Sequence, residues 1–196
     1  MTPAAPLLAF QDVACVRGGR LLFKGVDLTL EPGAALIVAG PNGAGKSSLL
    51  RLAAGLLRPF AGRVTRGAAL ALSDDAAALD DRLTLRRALA FWAALDGAPV
   101  EPGMEAMGIG HLAAVPVRML STGQRKRATL ARVIASGAPL WLLDEPANGL
   151  DGESRLLLAG AIAAHRSRGG AVLAASHQPL PIDDAATMRL EGAWAH

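Results

Sequence analysis

Four short segments carry side chains with chemistry to offer. The first, Gly40-Pro41-Asn42-Gly43-Ala44-Gly45-Lys46-Ser47, fits the pattern G-x-x-x-x-G-K-[ST], with Ser48 next in line. Gly43 and Gly45 permit backbone angles that turn several N–H groups inward onto phosphate oxygens. A helix beginning at Lys46 would add its positive end to the same anion. Lys46 would reach the β- and γ-phosphates of a nucleoside triphosphate, and the Ser47 hydroxyl would ligate Mg²⁺. The plain alternative is a structural glycine turn, and the strand pattern before it and helix pattern after it argue against that. The motif by itself identifies a phosphate binder and not its class.

The second segment is the apolar run Leu140-Trp141-Leu142-Leu143, which stops at Asp144-Glu145. A buried strand ending in a carboxylate places that charge at the carboxyl edge of a sheet, beside the phosphate loop. Asp144 is then the natural partner of Mg²⁺. Glu145, one residue on, is placed to orient and deprotonate an attacking water, and a positioned base contributes roughly 10²–10⁴-fold in rate. Two adjacent acids with different tasks favour hydrolysis over transfer to a bound alcohol. A solvated acid pair ahead of Pro146 is the alternative.

The third, Leu120-Ser121-Thr122-Gly123-Gln124, has Ser121 and Gln124 at capping-box spacing, followed by Arg127, Leu130, Ala131 and Ile134 on one helical face and a stop at Gly137. A capped helix amino end is also an anion site. The fourth is Ser176-His177, directly after the apolar run 171–175. A lone histidine is usually structural, but this one ends a strand on the same edge as the acids. His111, His165 and His196 have no such placement.

Together these segments resemble the ATP-binding-cassette (ABC) ATPases along essentially the whole chain. Leu-Ser-Thr-Gly-Gln resembles the family signature, with Thr122 at a usual glycine, and Asn148-Gly149-Leu150-Asp151 resembles its D-loop. The resemblance implies ATP and Mg²⁺ as cofactors. It also implies that Ser121, Gly123, Gln124 and Asp151 of one copy close over ATP held by another, with His177 as the switch that senses γ-phosphate. Two places depart from the family. The aromatic that stacks on adenine has Arg17 near its position, and a guanidinium can also stack on a base. The glutamine that meets Mg²⁺ is absent between Gln11 and Gln124, and Asp75 of the stretch Ser73-Asp74-Asp75-Ala76 stands near its place.

The elements needed to hold these groups can be read from the apolar pattern. Strands are expected over 7–16 and 21–30, then 34–39, 63–72, 140–143, 171–175 and 188–190, with helices over 46–57 and 153–168. Strands alternating with helices imply an α/β fold with a mainly parallel sheet covered on both faces. The family resemblance implies that this is a P-loop NTPase core with an antiparallel β portion at the N-terminal side. The segment 83–135 changes character, with Leu85, Leu89, Trp92 and Leu95 at helical spacing. It reads as a small helical lobe inserted into a core of 1–82 and 136–196, the whole of 1–196 forming one ABC ATPase domain.

Composition removes other classes. The chain has 196 residues, 52% hydrophobic and 19% charged, enough for a substantial core. Its net charge of +3 and 4% aromatic content, with no tyrosine, do not describe a nucleic-acid binder. Cys15 is a lone cysteine, so no internal disulfide forms. No apolar run reaches the roughly 20 residues of a membrane span, and the amino terminus lacks the basic-then-apolar pattern of a secretory signal. A cytoplasmic location is expected.

Within the family, the stretches Ser-Thr-Gly-Gln-Arg-Lys-Arg, Trp-Leu-Leu-Asp-Glu-Pro-Ala-Asn-Gly-Leu-Asp and Ser-His-Gln-Pro-Leu resemble the haem-exporter ATP-binding subunits of bacterial cytochrome c maturation. That likeness implies a peripheral place on the cytoplasmic side of the inner membrane, with an integral partner of the CcmB type. No direct haem contact is expected, since no cysteine–histidine pair or axial-ligand arrangement appears. Two alternatives stay open: the ATPase of another ABC transporter, and a soluble ABC ATPase of the iron–sulfur assembly kind.

Overall fold

The computed structural model describes residues 5–74 and 79–191. The chain opens with two long strands, β1 (Leu8–Arg17) and β2 (Arg20–Leu30), joined by a tight Gly18-Gly19 turn. They form an antiparallel sheet with β4 (Ala61–Arg66), in the order β2-β1-β4. β3 (Ala35–Ala39) leads through the glycine-rich loop into α1 (Lys46–Ala53). β3 also belongs to a second, parallel sheet with β5 (Leu70–Ser73), β6 (Leu140–Asp144), β7 (Ala171–Ala175) and β8 (Ala186–Arg189), in the order β5-β6-β7-β3-β8. Between β5 and β6 lie α2 (Leu85–Asp96), α3 (Glu101–Ala106), two short 3₁₀ turns and α4 (Thr122–Ala135); α5 (Gly152–Ser167) links β6 to β7. This is the mixed α/β architecture expected, with its antiparallel part near the N-terminus.

The sequence predicts a single strand over 63–72, and the chain makes two. It breaks at Gly67, whose amide donates to the Leu7 carbonyl at 3.0 Å. A Cβ at Gly67 would lie only 2.2 Å from the Pro6 carbonyl oxygen, so the backbone changes sheets where no side chain fits. The helix expected over 46–57 closes earlier, at Ala53. Leu95, expected on the packed face of α2, is instead exposed, while Leu85 and Leu89 are buried.

Alternation along the central strands explains why they read as unbroken apolar runs. On β6, Trp141 and Leu143 face one apolar cluster while Leu140 and Leu142 face the other. On β7, Val172 and Ala174 share the first cluster and Ala171, Leu173 and Ala175 the second. A parallel sheet covered on both faces requires this pattern. One cover is α1 with the antiparallel sheet, through Leu49, Leu52, Phe10 and Leu30. The other comprises α2, α3, α4 and α5, whose Leu89, Met104, Leu130 and Leu158 belong to a single continuous cluster. The strands β3, β6 and β7 therefore end side by side, and the loops after them meet at one edge.

Candidate active site

The loop after β3 wraps an open cavity of about 410 Å³ lined by Leu22, Asn42, Gly43, Gly45, Lys46, Ser47, Ser48 and Glu145. Gly45 precedes α1 at φ 98°, a left-handed angle that L side chains rarely adopt. A Cβ there would also sit 2.9 Å from the Phe23 ring. Both facts require glycine, and together they place the amide end of α1 at the cavity. Lys46 is 7% exposed, and its Nζ donates to the carbonyls of Gly40 at 2.9 Å and Pro41 at 3.2 Å. A buried ammonium must be paired, and the loop's own carbonyls supply the pairing.

Glu145 follows β6 and its side chain is 15% exposed. Its φ of 44° is a left-handed angle, uncommon for a non-glycine residue and costly unless the surroundings enforce it. The enforcement is visible: its amide donates to the Ala175 carbonyl at 2.9 Å, and its own carbonyl accepts from the Asn148 amide at 3.2 Å. One carboxylate oxygen, Oε2, lies 2.9 Å from His177 Nδ1, while Oε1 is 3.9 Å from Lys46 Nζ. Lys46, Glu145 and His177 thus form one connected group. Asp144, paired in register with Ala175, ends β6 just before it. Among the loop residues, Ser47 and Ser48 face the cavity and Ala44 packs into the core below it.

Ser121 and Gln124 form the capping box that their spacing predicts. Ser121 Oγ accepts from the Gln124 amide at 3.3 Å, and the Ser121 amide donates to Gln124 Oε1 at 2.9 Å. Gly123 packs on the loop after β6 so closely that a Cβ would meet the Gly149 carbonyl oxygen at 2.9 Å. Asp151 caps α5, its Oδ1 accepting from the Ser154 amide at 2.8 Å. Hydrogen bonds from the Ser154 side chain and amide hold the Asp151 carboxyl below its usual range. Ser121, Gly123, Gln124 and Asp151 do not line the phosphate-loop cavity of their own chain; Ser121 and Asp151 are exposed.

Arg17 stands at the tip of the β1–β2 hairpin, opposite Arg20 and exposed. From that hairpin Leu22 lines the phosphate-loop cavity, its Cβ 3.2 Å from where a Cβ at Gly45 would lie, with the Phe23 ring packed beside it. Sequence reasoning missed Leu22 because an aliphatic residue in a strand carries no functional signal. Asp75 lies outside the described residues. Its neighbour Asp74 lines a separate cavity of about 460 Å³ with Thr122, Lys126, Thr129 and Asn148. Lys126 in turn donates to the Asp144 carbonyl at 3.2 Å, tying α4 to the end of β6.

This arrangement, a phosphate loop with a carboxylate and a histidine converging on its lysine, coincides with a family match. The ABC transporter family profile covers residues 23–148. The chain belongs to the ABC transporter family. As an ABC ATPase it binds and hydrolyses ATP. It is similar to the "cytochrome c biogenesis ATP-binding export protein CcmA" of Sphingopyxis alaskensis, 62% identical over 91% of this chain and 93% of that protein. The protein of the same name from Zymomonas mobilis is 52% identical over 94% of this chain and 84% of the relative. An "ABC transporter I family member 1" of Arabidopsis thaliana is 38% identical over 96% of this ABC ATPase and 89% of that protein. Among solved structures, a metal-chelate-type ABC transporter in an inward-facing conformation matches with a TM-score of 0.81 at 25% identity, over 94% of this chain and 80% of that one. No described helix is long and apolar enough to cross a membrane, and membership of this family implies both a dimer and a membrane partner.

Proposed function

We propose that this ABC ATPase is the energy-coupling subunit of a membrane export complex in cytochrome c biogenesis, with ATP hydrolysis driving haem export or release of a haem chaperone. The observation that carries the catalytic part is the convergence of Lys46, Glu145 and His177 at the phosphate-loop cavity. The biological part rests on the extent of the likeness to the Sphingopyxis protein, 62% identity over nine-tenths of both chains.

In this reading the backbone of 40–45 cradles the phosphates and Lys46 exchanges its carbonyl partners for phosphate oxygens. Ser47 and Asp144 fit Mg²⁺: both are oxygen donors, the ligands this hard cation prefers, and both belong to segments that meet at the same sheet edge. When bound, the ion would neutralise charge on the transferred phosphate. Glu145, pinned by His177 and by its backbone bonds, takes the proton of the attacking water, and His177 contacts the γ-phosphate. Arg17 stacks on the base. Ser121, Gly123, Gln124 and Asp151, which do not line the cavity of their own chain, complete the site of a second copy. The whole chain acts as one ABC ATPase domain, with 83–135 as its inserted lobe.

The membrane partner in this reading is an integral subunit of the CcmB type, which holds the protein at the inner face of the plasma membrane. The test is capture of tagged Glu145→Gln protein from gently solubilised cells with ATP, followed by mass spectrometry. Recovery of a multi-span membrane protein with cytochrome c maturation components is expected. Recovery of soluble scaffold proteins alone would overturn the transporter reading and leave the ATPase intact.

A further inference from the structure

Beyond the Glu145–His177 contact, the histidine has a second partner. Gln178 Nε2 lies 3.3 Å from His177 Nε2, and Arg155 Nη2 donates to Gln178 Oε1 at 3.4 Å. Arg155 sits in the first turns of α5, next to Ser154, which Asp151 caps. The Gln178 backbone is fixed too: its amide donates to Ser176 Oγ at 3.1 Å, and that hydroxyl donates to the Gln178 carbonyl at 2.7 Å. Gln178 is exposed, so nothing in the core explains this side chain's orientation.

Donor and acceptor chemistry fixes the roles along this chain of contacts. A guanidinium only donates, so the Gln178 atom facing Arg155 is the carbonyl oxygen and the atom facing His177 is the NH₂. The NH₂ donates, so His177 Nε2 must accept through its lone pair. A neutral imidazole with Nε2 as acceptor carries its proton on Nδ1, which is the nitrogen 2.9 Å from the Glu145 carboxylate. Every role is consistent from Arg155 to Glu145.

We propose that Gln178, oriented by Arg155, is a positioning residue that holds His177 in the Nδ1–H tautomer when no nucleotide is bound. The proposal rests on the reading of His177 as the group that meets the γ-phosphate. A phosphate oxygen is an acceptor and gains nothing from a lone pair. Before His177 can bind it, Gln178 must leave and Nε2 must gain a proton from solvent. Gln178 therefore competes with nucleotide, and through Arg155 the competition is linked to the start of α5, the helix that Asp151 caps.

The test is ¹⁵N spectroscopy of the histidine side chains in the nucleotide-free full chain, with ATP affinity measured alongside. Wild-type His177 is expected to show a protonated Nδ1 and an unprotonated Nε2. Gln178→Ala should populate the Nε2–H form, and Arg155→Ala, which frees the amide to flip, should do so in part. Gln178→Glu keeps the shape but can only accept, so it should place a proton on Nε2. ATP affinity of Gln178→Ala should rise about two- to tenfold, the size of one net hydrogen bond. An Nε2–H form in the wild type, an unchanged spectrum in Gln178→Ala, or an altered spectrum with unchanged ATP affinity would each overturn the proposal. His177→Ala tests the underlying reading separately: parental turnover in that variant removes the phosphate-sensing role while the tautomer measurement still stands.

Discussion

The Glu145 carboxylate is held between His177, 2.9 Å away at Nδ1, and Lys46, 3.9 Å away at Nζ, on a backbone in the left-handed region. A general base must be held still to work, and in the role proposed for Glu145 two side chains and two backbone hydrogen bonds would do the holding. Glu145→Gln keeps the shape and the amide contacts while removing the basic oxygen. We expect ATP binding to survive and hydrolysis to fall by about 10²-fold or more. An ATP-bound dimer should then accumulate, visible by size-exclusion chromatography. Parental turnover in this variant would show that another group deprotonates the water.

Lys46 gives a sharper binding test, because its ammonium is already buried among loop carbonyls. Lys46→Ala should remove the phosphate contact without touching the glycines that shape the loop. A ligand that binds only the folded protein stabilises it in proportion to the logarithm of its concentration over Kd. The wild type should therefore melt at higher temperature with millimolar ATP, and the variant should show almost no such rise. An equal rise in both proteins would mean that Lys46 does not contact the nucleotide.

Much of this site was legible because its groups are bound to short patterns. The Ser121–Gln124 spacing specified a capping box, and the box is present with both of its hydrogen bonds. The apolar runs ending at Asp144 and at Ala175 specified buried parallel strands, and their ends meet in register. Arg155 and Gln178 were not legible, because their relation depends on how α5 packs beside the loop after β7. The division of 63–72 into two strands was equally hidden: it depends on Gly67 meeting Pro6, a contact between residues far apart in the chain. Leu95 shows the limit of periodicity, since helical spacing alone does not say where the apolar face of α2 stops being covered.

Arg132 is a structural tie that the sequence does not announce. Its guanidinium lies 4.4 Å from the centre of the Trp92 ring on α2 and donates to the Leu72 carbonyl on β5. Burial lowers the pKa of Arg132, with Asp96 and Asp74 acting in the opposite direction. One side chain on α4 thus joins α2 to β5, the edge strand of the parallel sheet. Arg132→Ala should cost about 2–3 kcal/mol in urea unfolding, from a charged hydrogen bond and a cation–π contact. Arg132→Lys should recover only part, because an ammonium cannot both stack flat and reach the carbonyl. A cost below about 0.5 kcal/mol for Arg132→Ala would place this contact with ordinary surface substitutions.

His165 supplies a pH dependence remote from the phosphate loop. Its ring stacks on Trp141 with centroids 3.8 Å apart and planes 9° apart, and Gly170 lies against its edge. Burial lowers its pKa, outweighing the neighbouring Ala171 and Pro139 backbone groups. The unfolded chain, with histidine near 6.5, therefore binds this proton more readily than the folded one does. Stability must then fall as pH drops below about 6.5, by at most about 1.4 kcal/mol per pH unit, until the lowered folded value is reached. Above about pH 7.5 both states are neutral and the term vanishes. His165→Phe keeps a ring against Trp141 and removes the proton, so the gap between its unfolding free energy and that of the wild type should shift in the variant's favour between pH 7.5 and 5.5. Parallel curves for the two proteins would assign the acid sensitivity to other groups.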